Sequence, residues 1–205
     1  MYRDRRDAGR WLADALPPLD DPVVLGLPRG GVPVAAIVAE RLGAPLDVII
    51  VRKVGIPWHP EVAMGAIGEG GARFTDASTM RWAGVSADEF AAVEARERRT
   101  LDARVAALRR GRPLLPLDGR TALIVDDGIA TGATMRVAVL VARGRGAASV
   151  VVAAPVAAAD TVAMLEREAD AVVVPLIPAG FRAVGEHYLD FGQTTDEEVQ
   201  RLLSR

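Results

Sequence analysis

The stretch Leu123-Ile124-Val125-Asp126-Asp127-Gly128-Ile129-Ala130-Thr131-Gly132-Ala133-Thr134 narrows what this chain can fold into more than any other. An apolar run ends in two adjacent carboxylates, a turn of small residues follows, and a helical pattern runs from Met135 to Arg143. An apolar run without alternation reads as a strand buried on both faces of a sheet. Small residues at Gly128, Ala130, Thr131, Gly132, Ala133 and Thr134 let backbone N–H groups approach an anion, and the following helix adds its positive N-terminal end. Asp126 and Asp127 would repel such an anion, but as acceptors they suit sugar hydroxyls or the shell of a Mg²⁺ ion. The unit therefore points to a ribose phosphate, with its phosphate on the loop and its hydroxyls on the acids. The competing reading is an ordinary strand–turn–helix with a solvated acidic pair at the strand end.

The twelve residues closely resemble the motif by which type I phosphoribosyltransferases bind 5-phosphoribosyl diphosphate (PRPP): an apolar strand, two acids, then a small-residue Thr-Gly-x-Thr loop. They differ from a P-loop, which ends in Gly-Lys-Ser/Thr, and from a dinucleotide fingerprint, which lacks the paired acids. The likeness covers roughly residues 20 to 192 and is greatest to bacterial phosphoribosyltransferase-domain proteins of about this length. It implies a doubly wound, mostly parallel α/β sheet with helices on both faces. The N- and C-terminal segments would add a small hood. One domain is expected over 1–205: a core of about 20–176, a flexible loop at about 52–64, and a hood from about 1–19 and 177–205.

The remaining strands support that layout. Apolar runs at Val23–Leu27, Leu46–Val51, Ser149–Ala154 and Ala171–Leu176 alternate with helical patterns, which makes a parallel sheet. Ligands in such sheets bind at the carboxyl ends of the strands. Val23–Leu27 runs into Pro28-Arg29-Gly30-Gly31, where a glycine pair again permits close approach to an anion and Arg29 adds a fixed charge. In the resembled family this is the pyrophosphate loop, and it often holds a non-proline cis peptide, here the Pro28–Arg29 bond. The alternative is a tight turn with an exposed arginine.

After the second strand, Arg52 to Met64 shows no periodicity, and Gly55, Pro57 and Pro60 argue against any regular element. Similar enzymes carry a mobile loop here that closes over pyrophosphate, a role suited to Lys53, the sole lysine of the chain. Lys53 as a mere strand-end cation is an equal alternative. Short strands are expected at Ala63–Glu69 and Ala72–Phe74, and Ser86-Ala87-Asp88-Glu89 is a capping box opening a helix to about Arg110. That helix could contribute to a homodimer. Phe181, Tyr188 and Asp190 loosely resemble the acceptor hood of purine-specific members; the other reading is that they pack the tail down.

Composition limits the function classes. The 205 residues are 50% hydrophobic with a net charge of −2, enough for one α/β core and no basic field for nucleic acid. Without cysteine there is no disulfide or thiolate chemistry, and two histidines are too few for a metal cluster. The charged start carries no signal peptide and no apolar span follows, so the expected setting is cytoplasmic, away from membranes. The resemblance implies transfer of 5-phosphoribosyl from PRPP to a nitrogenous base, purine-like by preference, with release of pyrophosphate. Arg29, Lys53 and Mg²⁺ would stabilise the leaving group, with Mg²⁺ held mainly by the substrate. Asp126 and Asp127 would hold the hydroxyls. The alternative is a non-catalytic PRPP- or nucleotide-binding regulator on the same fold.

Overall fold

The computed structural model of the chain describes residues 1–204. Helix α1 (Arg5–Ala15) starts where Asp4 accepts a hydrogen bond from the Asp7 amide, and it stops ahead of Pro17-Pro18. Strand β1 (Pro22–Gly26) feeds helix α2 (Gly31–Leu42), which closes on the left-handed Gly43 and leads to β2 (Leu46–Val48). The run Leu46–Val51, expected to be one strand, breaks at Ile49–Ile50. The Ile49 amide still donates to the Gly26 carbonyl at 3.2 Å, but the Ile50 amide turns to the Glu69 carboxylate at 3.2 Å. There the chain leaves the parallel sheet.

It enters a three-stranded antiparallel sheet made of β3 (Val51–Ile56), β4 (His59–Gly68) and β5 (Arg73–Thr75). Residues 52–64 are thus a hairpin, which corrects the expectation of an irregular segment. The register explains how its breakers are tolerated. Pro57 and Trp58 form the turn, Ile56 pairs with His59, and Gly55 pairs with Ala63. Pro60 is therefore bulged out with Glu61 and Val62, so its missing N–H costs no ladder bond. Gly55 is required because a Cβ there would strike the Pro60 carbonyl. Helix α3 (Ala77–Ala83) follows, and then α4 (Ala87–Arg109) with its Ser86/Glu89 capping box formed.

The second half carries β6 (Thr121–Val125), α5 (Ala133–Gly144), β7 (Ser149–Ala153), α6 (Ala159–Leu165), β8 (Ala171–Val173) and α7 (Asp196–Leu203). The five parallel strands lie in the order β2-β1-β6-β7-β8, and Val24, Leu123 and Val151 are level across the three central ones. Alternate residues serve opposite faces. Leu25, Ile124 and Val152 pack under α5 and α6. Val24, Leu123 and Val151 pack against α1 and α2. Each such side chain gains about 1.5–3 kcal/mol from burial. Helices on both faces of a parallel sheet give the doubly wound class expected from the sequence.

A second core joins the antiparallel sheet to α4 and α7 through Ile56, Met64, Ile67, Phe90, Leu101 and Val199. The two sheets are pinned together by a buried ion cluster: Arg109 of α4 pairs with Asp47 of β2 and with Glu69 just past β4. At the far end, the Tyr2 amide donates to the His187 carbonyl and the Leu189 amide to the Tyr2 carbonyl, both at 2.8 Å. Beyond the ends of β6 and β7, Tyr2, Val156 and Tyr188 form a small buried cluster with Leu176, Phe181 and Val184. Helices α1 and α7 pack on the body of the domain, against α2 and α4.

Candidate active site

Strands β1 and β6 are neighbours and parallel, so the loops leaving their carboxyl ends meet. Pro28-Arg29-Gly30-Gly31 leaves β1, and Asp126-Asp127 leaves β6. A Cβ on Gly30 would overlap the Asp127 carboxylate, and one on Gly31 would lie 2.5 Å from the Val125 carbonyl. The loops touch here: Gly31 abuts backbone, and Gly30 leaves room for the Asp127 carboxylate. The Pro28–Arg29 peptide is cis. Pro28, Arg29, Gly30, Asp126 and Asp127 all line one cavity of about 450 Å³.

The two acids sit in different surroundings. Asp126 Oδ1 accepts from the Asp127 amide at 2.9 Å, and its own amide donates to the Ala153 carbonyl at 3.2 Å. Burial, and then the neighbouring Asp127 charge, push the Asp126 carboxyl well above its ordinary value. Asp127 instead pairs with Arg5, whose Nε donates to Oδ2 at 2.8 Å. Arg5 also donates to the Gly192 carbonyl and lies 4.0 Å over the ring of Phe191, which lines the same cavity. Arg5 was not among the sequence candidates. Arg5 and Asp127 are 122 residues apart, and nothing local marks the pair.

The loop of small residues, Gly128 to Thr134, departs from β6 toward α5. Gly132, in the left-handed region at φ 71°, precedes α5, and its Cβ would run into Met164 and Thr161. Ala130, Thr131, Ala133 and Thr134 are exposed, and the first-turn amides of α5 have no acceptor inside their own helix. An anion can therefore sit on this turn. Gly128 is small for another reason. A Cβ there would collide with Val184, so the missing side chain serves packing against the tail.

Lys53 is placed apart from the acids. It pairs with Glu61 at 2.7 Å and lines a separate cavity of about 330 Å³ with Arg52, Arg96 and Thr134. The hood candidates divide as well. The Tyr188 hydroxyl donates to the Asp127 carbonyl, and its buried ring packs on Tyr2 and Phe191 at 5.5 and 5.0 Å. Burial, reinforced by the Asp127 charge, raises the Tyr188 hydroxyl far above its usual value, so it remains a donor. Tyr188 thus ties the tail down. Phe181 stacks on His187 and Asp190 caps the Gly192 amide; neither lines the cavity with the acids.

For a divalent cation, the donors present are Asp126 and Asp127, one carrying a raised pKa and the other already paired with Arg5. No group of three or more His, Cys, Asp or Glu side chains is arranged to hold a metal among the described residues. Such a set fits a Mg²⁺ ion that arrives with substrate phosphates better than one caged by protein. No helix among the described residues is long and apolar enough to cross a membrane.

The sequence pattern of the phosphoribosyl transferase domain matches residues 7–188. A Mycobacterium tuberculosis protein named "Putative phosphoribosyl transferase MT0597" is 51% identical over 207 residues, covering 100% of this chain and 47% of the relative. The chain thus spans about half the length of that relative. The crystal structure of TT1426 from Thermus thermophilus superposes with a TM-score of 0.93 at 48% identity, covering 98% of this chain and 97% of that one. AQ2163 from Aquifex aeolicus shares the fold, with a TM-score of 0.54 at 13% identity, covering 97% and 84%.

Proposed function

We propose a group-transfer reaction on one premise: the chain belongs to the phosphoribosyl transferase domain family. The reaction moves 5-phosphoribosyl from PRPP to a nitrogen of a free base, purine-like by preference, and releases pyrophosphate. The observation that carries this reading is the single cavity shared by the Asp126–Asp127 pair and the Pro28–Gly30 loop, with the exposed turn before α5 leaving the same strand end.

The chemistry asked of the protein is positioning and charge. The loop Ala130–Thr134 anchors the 5′-phosphate and orients the sugar. Asp126 and Asp127 accept from the ribose hydroxyls, and their negative charge favours the positive charge that grows at C1 as the bond to pyrophosphate breaks. For Asp127 this requires Arg5 to share or yield the carboxylate. Arg29 and the Gly30–Gly31 amides face the leaving group, where negative charge accumulates. Mg²⁺ bound to the substrate phosphates would add charge stabilisation there. Lys53 stands on a hairpin whose closure would carry it toward the same group. The setting is cytoplasmic, with a homodimer as the open quaternary arrangement.

A panel of purine and pyrimidine bases, incubated with PRPP and Mg²⁺ and assayed for pyrophosphate, tests the reading. Release with one base supports it. PRPP binding in calorimetry without release from any base would make the chain a non-catalytic sensor. No PRPP or ribose 5-phosphate binding at millimolar concentration would end both.

A further inference from the structure

Asp196 lies beyond the segment matched by the family pattern, in the first turn of α7. Its two oxygens have different partners. Oδ2 accepts a hydrogen bond from Arg104 Nη1 at 2.6 Å. Oδ1 is buried, accepts no hydrogen bond among the described residues, and stands 3.9 Å from Arg29 Nη1. Arg29 lines the cavity that holds Asp126 and Asp127. Arg104, from α4, lines an adjoining cavity of about 460 Å³ with Arg52 and Thr134, and Pro28 borders both. One carboxylate therefore sits behind two guanidiniums that look into two parts of one cleft.

We propose that Asp196 is a positioning residue that aims Arg29 and Arg104 together at the diphosphate end of the substrate. The inference rests on the PRPP reading above and adds to it two residues, Asp196 and Arg104. The physics is simple. Two guanidiniums on long, rotamer-rich stems repel each other and, without a shared counter-ion, swing apart into solvent. One carboxylate between two arginines holds them in place yet leaves a net positive charge for an anion. At 3.9 Å Arg29 is held by charge alone and donates no side-chain hydrogen bond among the described residues, so its N–H groups stay available. The hydrogen bond from Arg104, and then the charges of Arg104 and Arg29, keep the Asp196 carboxyl below its usual range, so it stays ionised at neutral pH. A diphosphate, with oxygens spread over two phosphoryl groups, can take hydrogen bonds from both arginines at once.

The test is calorimetric binding of magnesium pyrophosphate to the wild-type chain and to Asp196→Asn, Asp196→Glu, Arg104→Gln and Glu197→Gln, with Tm measured for each. Positioning predicts that Asp196→Asn and Arg104→Gln weaken binding about tenfold. Asp196→Glu should recover part of the loss. Glu197→Gln, which removes an exposed charge from the same helix turn, should change nothing. If Asp196 only neutralises positive charge, Asp196→Asn would tighten binding, the opposite sign. If it only supports α7, Tm would fall with Kd unmoved. Either result overturns the proposal, as does unchanged binding in Arg104→Gln should Asp196→Asn fail to fold. A wild-type chain that binds neither pyrophosphate nor PRPP overturns the reaction itself and this inference with it. A wild-type chain that binds, beside variants that bind equally well, overturns the inference alone.

Discussion

Two clusters of arginine and acid in this chain look alike in composition and differ in every physical respect. Arg109, Asp47 and Glu69 are at most 5% exposed. Their polar atoms are densely paired: Arg109 reaches both carboxylates and the Val48 carbonyl, while the Val48, Ile50 and Leu115 amides take up the remaining carboxylate lone pairs. Around Arg5, Arg29, Asp126 and Asp127 the pairing is incomplete. Asp126 is disfavoured as an anion, Arg29 touches no acceptor closely, and a cavity opens between them. A closed cluster ties two sheets together, whereas an open one leaves charge incompletely paired beside a cavity. Perturbation of a pKa marks the second kind only because a cavity accompanies it.

Breaking the closed cluster should have the largest effect. Arg109→Met leaves two buried carboxylates without their partner and should cost about 3–5 kcal/mol in denaturant unfolding. A loss below about 1 kcal/mol would show that the cluster does not hold the sheets. The open cluster should respond in rate rather than in stability. Asp127→Asn should lower turnover about a hundredfold, as removal of one charge-stabilising group typically does, while Tm stays within a few degrees of wild type. Equal activity in steady-state assays would erase the contrast.

Asp126 sharpens it through pH. Its folded pKa lies above the ordinary 3.8, so the native state binds the proton more tightly than the unfolded chain. Stability from this group is therefore greatest at low pH and falls as pH rises from about 4 through the folded pKa. Asp126→Asn removes that fall. The Tm of the variant minus that of wild type should grow as pH rises above about 4 and level off once the folded pKa is passed, and a flat difference would contradict the assignment. The smallest stability change belongs to Lys53. Its partner Glu61 is 93% exposed, so Lys53→Ala should alter stability by less than about 1 kcal/mol. If the hairpin closes as proposed, the same substitution lowers kcat more than it weakens PRPP binding, which single-turnover kinetics can separate.

What the sequence disclosed follows from where information is local. Val23–Leu27, Leu123–Val125 and Val150–Ala154 declare themselves because burial on both faces leaves no polar residue in the run. The Ser86/Glu89 box is likewise legible, since cap and helix are adjacent. The hairpin of β3 and β4 was not, because whether Pro60 breaks a strand depends on which residue faces it, and register is not written in one strand alone. Helix α3 fully buries none of its residues and sets only Met80 and Ala83 against the second core, too short an apolar stripe to read; its signals were its caps, Asp76, which takes the Ser78 and Thr79 amides, and the left-handed Gly84. At the site, Asp126, Asp127, Arg29 and the glycines could be read from motif and order. Arg5, Arg104 and Asp196 reach the cleft from three separate helices, and only tertiary packing brings them there.

The contact of Gly30 and Gly31 with the acid pair has a consequence for descent. A side chain at Gly31 would press on the backbone of Val125 and Asp126 in the neighbouring strand and loop, and one at Gly30 would push the Asp127 carboxylate from its place. Variation that survives must enter where the polymer is slack. The exposed stretch from Leu189 to Gln193 meets the cavity at Phe191 and Gln193 and is held largely through its backbone, by the Leu189 and Asp190 amides and the Gly192 carbonyl, bonds that a change of side chain leaves in place. On the proposed reaction, lineages that diverge from this chain would therefore exchange bases by rewriting that border, while the two touching loops are inherited unaltered.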